Sequence, residues 1–263
     1  MREVLELLSY PFVMRALTAG ALISVCASVL GVILVLKHYA LIGHGLSEIG
    51  FASLSISAAL GLPVMLVSTP AIIIASFVIM FVSQKYKTSG DIAIAVASSF
   101  ALALGVIAGR GANVSAYLFG SVLAVSQEDV IFAAVLSVIV IASFVVFYNR
   151  LFLITYNEDY ARSLGINTLF YQFTISVLTA LVVVLGMRIM GTLLISGVII
   201  LPALTAKNIA SCFRSLVIVS GTVSFIAFTA GLALSFVFNL PAGAVIVMTN
   251  TAILIIVKVS VKK

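Results

Sequence analysis

Nine apolar runs, each about as long as the hydrocarbon core of a bilayer is thick, constrain this chain more than any other feature. They cover residues 12–36, 42–60, 64–82, 91–109, 129–148, 168–190, 191–209, 215–238 and 242–257. The runs do not alternate apolar and polar residues, as the strands of a membrane barrel would. They therefore predict helices, which satisfy their own backbone hydrogen bonds inside lipid.

The composition excludes a soluble domain. Of the 263 residues, 63% are hydrophobic and only 8% are charged, whereas about a quarter of the residues of a soluble domain are charged. We expect an all-α, multi-pass protein of the cell membrane, with eight or nine transmembrane helices in a single domain over residues 1–263. Residues 110–128 are rich in glycine and serine, and we expect a re-entrant or interfacial piece there.

The basic residues predict the orientation. Links 37–41, 83–90, 149–167 and 207–214, together with the tail 258–263, hold ten of the fourteen lysines and arginines. Cytoplasmic loops carry such an excess, so we expect these links to face the cytoplasm. The N-terminus would then lie outside, and residues 1–11 could form an interfacial helix.

Several function classes find little support. The net charge of +6 comes from scattered residues that suit loop anchors, so no nucleic-acid partner is expected. Cys26 and Cys212 have no partner at metal or redox spacing. The chain has no phosphate-binding G-x-x-x-x-G-K-[ST] motif, so any ATPase would be a separate chain.

His44 and Glu48 are the exception within an apolar run. Residues four apart lie on one face of a helix, so the two side chains point the same way. Both are costly in lipid, and we expect them to face a partner or a water-filled path. The small residues around them would permit close helix packing: Gly43, Gly45, Ser47, Gly50, Ala52, Ser53 and Ser55.

Three interpretations of the pair compete. It could be a hydrogen-bonded pair that holds helices together, or a proton relay, because histidine titrates near neutral pH. It could also bind a metal ion, since imidazole and carboxylate suit zinc, manganese or iron. Two ligands are few, but a two-fold dimer with this helix at its axis would supply four. We favour the metal site.

The stretch from Gly31 to Leu60 resembles the metal-importing class of ABC transporter permeases, the zinc, manganese and iron uptake family (ABC-3 class). Its pattern here is close to L-x-G-D-x-x-S-H-A, which Leu41, Gly43 and Ser47 match. The family aspartate falls on His44 and the family histidine on Glu48, so the order of the two chemistries is reversed.

Three later segments extend the resemblance in the family's order: SAYLFGSVLAVSQEDV (115–130), EDYARSLGI (158–166) and MGTLLISGVIILPALTAK (190–207). Residues 157–165 also predict a short helix by themselves, with Asn157 as its cap and Gly165 at its end. The resemblance makes this segment a cytoplasmic coupling helix that docks on an ATPase subunit. The residues assigned to it are Asp159, Tyr160, Ala161, Arg162, Leu164 and Gly165, with Ile166 as a further apolar contact.

The resemblance implies the membrane-spanning permease of an ABC importer for a divalent transition metal, which is not itself an enzyme. Its partners would be a second copy of the chain, two ATPase subunits, an extracytoplasmic metal-binding protein and the lipid bilayer. No cofactor would be bound permanently, and the metal would be cargo. Gly191, Gly197 and Pro202 would serve packing and gating.

Three other functions stay open at this point. One is a permease for a chelated metal of the siderophore or cobalamin type. Another is a proton-coupled carrier that needs no ATPase. The third is an intramembrane protease, for which a second ligand motif or a facing catalytic pair would be required.

Overall fold

The computed structural model describes residues 11–85, 90–109, 125–238 and 240–261. Within these ranges the chain forms ten α-helices and no strand. The helices are α1 (Pro11–Leu36), α2 (Ile42–Leu60), α3 (Val64–Lys85), α4 (Gly90–Ala108), α5 (Gln127–Tyr156), α6 (Glu158–Ser163), α7 (Thr168–Met190), α8 (Thr192–Ile209), α9 (Phe213–Phe238) and α10 (Ala242–Val261). The all-α fold class is confirmed.

Each of the nine apolar runs corresponds to one helix, and α6 is the additional short one. Seven described helices are long and apolar enough to cross a bilayer, so the expectation of eight or nine was too high. The two outside this count are α2, in which a histidine, a glutamate and serines lower the hydropathy, and α8, of which only the stretch Leu194–Ile209 was compared with this measure. Residues 1–10 and most of the 110–128 segment, for which an interfacial helix and a re-entrant piece were predicted, lie outside the described residues.

The helices run back and forth between two ends of the bundle. At one end Lys37 pairs with Glu158, and Asp91 accepts a hydrogen bond from the backbone N–H of Leu41. At the opposite end Arg188 of α7 pairs with Asp129 of α5, with 2.8 Å between Nη1 and Oδ1. Three of the links that were predicted to be cytoplasmic therefore meet at one end, which we call the basic end: residues 37–41, 157–167 and 210–212.

Helix α1 forms the centre of the bundle and contacts α5, α7, α8 and α9. Most of its residues are small or apolar and are buried. Serines join it to α9, because Ser220 donates to the carbonyl of Ser28 and Ser224 donates to the carbonyl of Ser24 (3.1 and 2.8 Å). Such hydroxyl–carbonyl bonds hold helices together where lipid gives no hydrophobic driving force.

Candidate functional site

His44 and Glu48 lie on the open face of α2, in its first two turns. His44 Nε2 and Glu48 Oε1 are 3.3 Å apart. The imidazole side chain is 47% exposed and the carboxylate side chain 19%. The pair therefore sits near the basic end, where α2 leaves the 37–41 turn, and its imidazole points away from the helices behind it.

Glycines explain why the rest of α2 is covered while this face stays open. A Cβ at Gly43 would lie 2.7 Å from Ile199 of α8, and one at Gly45 would lie 2.5 Å from Ile94 of α4. A Cβ at Gly50 would meet Met187 of α7 at 2.4 Å. The glycine face of α2 is thus packed against three helices, as the small residues predicted, and the acid–imidazole pair is left on the outside.

The separation of the two side chains suits a shared ion as well as a direct contact. Two ligand atoms about 2.1 Å from a tetrahedral zinc ion lie about 3.4 Å from each other, close to the distance between Nε2 and Oε1. In the described part of the chain, no group of three or more histidine, cysteine, aspartate or glutamate side chains could hold a metal. Within one copy the His44–Glu48 pair therefore offers two possible ligand atoms.

The predicted short helix is present as α6, between α5 and α7. The side chain of Asn157 accepts a hydrogen bond from the N–H of Tyr160 (3.0 Å) and so caps the helix at its start. Gly165 follows the helix with a φ of 75°, a left-handed conformation that glycine adopts without strain. The expected cap and end residue are both confirmed.

The two sides of α6 differ in chemistry. Tyr160 and Leu164 are 54% and 55% exposed and make up its apolar outer side, next to the exposed Asp159. Ala161 is fully buried, and the half-buried Ile166 packs against the core. Ala161 therefore contacts only its own chain, whereas Ile166 does so in part.

Charged side chains tie the inner side of α6 to two neighbouring segments. Glu158 Oε2 lies 3.1 Å from Lys37 Nζ, and Glu158 Oε1 lies 2.8 Å from Arg162 Nη2. Arg162 Nε also donates to the hydroxyl of Thr168 at the start of α7 (3.1 Å). We call Lys37, Glu158, Arg162 and Thr168 the α6 network.

The protonation of this network follows from burial and charge. Burial lowers the pKa of Lys37, and the carboxylate of Glu158 partly opposes this. For Glu158, burial raises the pKa, but the Lys37 ammonium, a hydrogen bond with Gln172 and the Arg162 guanidinium together hold the pKa below its usual range. Glu158 is therefore ionised at neutral pH. The sequence does not predict that Lys37 pairs with Glu158, because the two residues are 121 positions apart and no spacing rule relates them.

The predicted packing and gating residues lie at the junction of α7 and α8 and inside α8. Gly191 separates the two helices and has a φ of 95°, which favours glycine. A Cβ at Gly197 would lie 2.9 Å from Val247 of α10, and Pro202 lies inside α8. Since α8 also contacts the glycine face of α2 through Ile199, these residues are on the helix directly behind the His44–Glu48 pair.

Comparison with known proteins places the chain in context. The model of the ABC 3 transport family matches residues 9–261. The manganese transport system membrane protein MntC of Listeria monocytogenes is 28% identical over 254 residues, covering 95% of this chain and 91% of that protein. The high-affinity zinc uptake system membrane protein ZnuB of Buchnera aphidicola is 27% identical over 249 residues, covering 90% and 93%.

A solved structure agrees with these relatives. The chain superposes on the structure of PsaBC from Streptococcus pneumoniae in complex with Fab with a TM-score of 0.85 and 28% sequence identity. The superposition covers 97% of this chain and 94% of that one. The resemblance in sequence therefore extends to the arrangement of the helices.

Proposed function

The chain belongs to the ABC 3 transport family, the metal-type class of ABC transporter permeases, and from this premise we propose that it carries a divalent transition metal across the cell membrane. It would work as the permease of an importer driven by a separate ATPase. The main observation in support is a pair of possible ligand atoms on an open helix face: His44 Nε2 and Glu48 Oε1 lie 3.3 Å apart. Zinc, manganese and iron all accept this ligand chemistry.

A second copy of the chain completes the site in this proposal. If α2 lies beside a two-fold axis, two imidazoles and two carboxylates meet at the interface. The partial exposure of both side chains in one copy supports this arrangement, because lipid would solvate neither group. The four ligands bind the ion only transiently, since a metal that is held too tightly cannot leave.

Alternating access would expose this site first to the outside and then to the cytoplasm. Two ATPase subunits would close on ATP and move the α6 helices docked on them. Helix α8 packs behind the site and begins at Gly191, so a change in its position against α2 would open one side of the site and close the other. An extracytoplasmic binding protein would deliver the metal from the opposite end of the bundle.

The test is metal uptake by the chain reconstituted with its ATPase subunit in liposomes. We expect ATP-dependent uptake of at least one of zinc, manganese and iron. His44→Ala and Glu48→Ala should each reduce that uptake at least tenfold. Ser57→Ala is the matched control, because its hydroxyl bonds only within α2, to the carbonyl of Ser53, and uptake should stay at the wild-type rate.

Two results would contradict the proposal. Uptake that proceeds equally well without ATP would favour a proton-coupled carrier. Normal uptake of all three metals by both alanine variants would remove His44 and Glu48 from the pathway.

A further inference from the structure

We propose that the ion pair between Lys37 and Glu158 transmits the movement of the coupling helix α6 to the His44–Glu48 site. This inference rests on the function proposed above. It assigns a positioning role to two residues that touch neither the metal nor, by their burial, the ATPase.

The pair joins two segments that are distant in sequence. Glu158 is the first residue of α6, and Lys37 directly follows α1. Their charged atoms are 3.1 Å apart, and the side chains are only 8% (Lys37) and 22% (Glu158) exposed. Screening by water and salt is weak at such a site, so the attraction resists separation of the two segments.

The segment that Lys37 anchors leads directly into the metal site. The 37–41 turn has five residues and is closed by backbone hydrogen bonds, from Tyr39 N to Leu34 O (2.8 Å) and from Ile42 N to Tyr39 O (3.1 Å). His38 has a φ of 61°, which marks a tight left-handed turn. A turn this short has no slack, so a displacement at Lys37 reaches His44 seven residues later through the start of α2.

Helix α4 holds the far side of the same turn. The ring of Tyr39 is buried against Gly90, where a Cβ would lie 2.3 Å away. The N–H of Leu41 donates to Oδ1 of Asp91 at 3.2 Å. The turn is therefore held between α4 and α6. Because it is held on both sides, a displacement of α6 changes the position of the start of α2.

The second branch of the α6 network does not reach α2. Arg162 bonds Glu158 within α6 and Thr168 at the start of α7, so it stiffens the connection between these two adjacent helices. Among the ion pairs of the described residues, the Lys37–Glu158 pair is the one that connects α6 to the α1–α2 turn.

The decisive variant is the double substitution Lys37→Met with Glu158→Gln. It keeps the side-chain volumes and removes both charges together. No charge is left buried without a partner, so the bundle should still fold. The experiment measures metal uptake and ATP hydrolysis in liposomes that contain the permease, its ATPase subunit and its binding protein. We expect normal association with the ATPase and continued hydrolysis, with the number of metal ions taken up per ATP reduced at least tenfold.

Two further variants separate transmission from folding. The charge exchange Lys37→Glu with Glu158→Lys restores an attraction between the segments and should recover a large part of the uptake per ATP. Lys258→Met, the same chemical change in the last turn of α10, should leave it unchanged.

The outcomes distinguish this inference from the proposed function. If the wild type takes up metal and the neutral double variant matches its uptake per ATP, the transmission role is refuted and the proposed function stands. The transmission role is also refuted, and the proposed function stands, if the neutral variant no longer binds the ATPase subunit. In that case the pair would maintain the shape of the docking side of α6. If the wild type shows no ATP-driven uptake, the proposed function fails and this inference fails with it.

Discussion

The start of α2 and the helix α6 each present an outer surface whose chemistry does not match the surroundings of a lone bundle. Helix α2 is packed on its glycine face and presents an imidazole and a carboxylate outward, where a lone bundle would meet lipid. Helix α6 lies outside the spans, yet it turns Glu158 inward toward Lys37 and presents Tyr160 and Leu164 outward, where a lone bundle would meet water.

Each arrangement is costly for an isolated chain, and the two costs have opposite causes. Charged groups facing lipid lose their hydration, whereas apolar groups facing water are left unburied. The two regions therefore need partner surfaces of different chemistry. The α2 face requires polar groups or an ion, and a second copy would supply polar groups and complete an ion site. The α6 side requires an apolar groove, as an ATPase subunit would supply.

The largest expected effect comes from replacing the apolar side chains on the outer side of α6 with charged ones. Tyr160→Asp combined with Leu164→Asp should weaken binding of the ATPase subunit by about 4 kcal/mol, roughly a thousandfold, if each residue is an interface hot spot. Both side chains are exposed in the free chain, so the permease should fold normally. Affinity is measured with the purified subunits in detergent.

Leu62→Asp provides the matched control. Leu62 is an exposed leucine in the link between α2 and α3, at the end opposite α6, and its substitution should not change ATPase binding. Equal losses in the two variants would mean that added charge acts on the whole molecule, and the contrast between α2 and α6 would lose its meaning.

A second prediction compares the two carboxylates. Glu158→Ala leaves the Lys37 ammonium buried without its partner, and we expect a loss of about 3 kcal/mol in the free energy of unfolding, at the low end for breaking a buried pair because Glu158 is partly exposed. Glu48→Ala removes the partner of a half-exposed imidazole and should cost less than about 1 kcal/mol. Unfolding of the detergent-solubilised variants gives both values.

The two variants should therefore differ in stability. Glu48→Ala should remain folded and lose uptake, because in the proposed site its carboxylate would bind the ion. If Glu48→Ala destabilises the chain as much as Glu158→Ala does, the α2 pair would be a structural contact between helices and not a ligand pair.

Local rules predicted the helices well. The nine apolar runs could be located because a bilayer-spanning helix leaves a long uninterrupted signal in the sequence. The start and end of α6 were predicted because a cap such as Asn157 and a left-handed glycine such as Gly165 act on residues within one turn.

Tertiary contacts account for what the sequence did not predict. The burial of Ala161 depends on which side of the six-residue α6 the core covers. The Lys37–Glu158 pair depends on how α1 and α6 meet in space. The span count was too high in part because run length alone does not register how far His44, Glu48 and the serines reduce the hydropathy of α2.

The smallest effect is a pH dependence of stability that comes from Glu158 at the start of α6. The pKa of Glu158 in the folded chain is lowered below its unfolded value of about 4.3, so between these two values the unfolded chain binds more protons. The stability due to ionised Glu158 is thus complete above the unfolded pKa and is lost as the pH falls through the folded pKa, with a slope of at most about 1.4 kcal/mol per pH unit. Glu158→Gln cannot titrate, so the stability advantage of the wild type over this variant should shrink on acidification from pH 6 to pH 3 in unfolding measurements. An advantage that stays constant over this range would show that Lys37 does not hold the carboxylate of Glu158 in its charged form. The contrast between the buried charges of α6 and the open face of α2, which carries the proposed ligand pair, would then have to be abandoned.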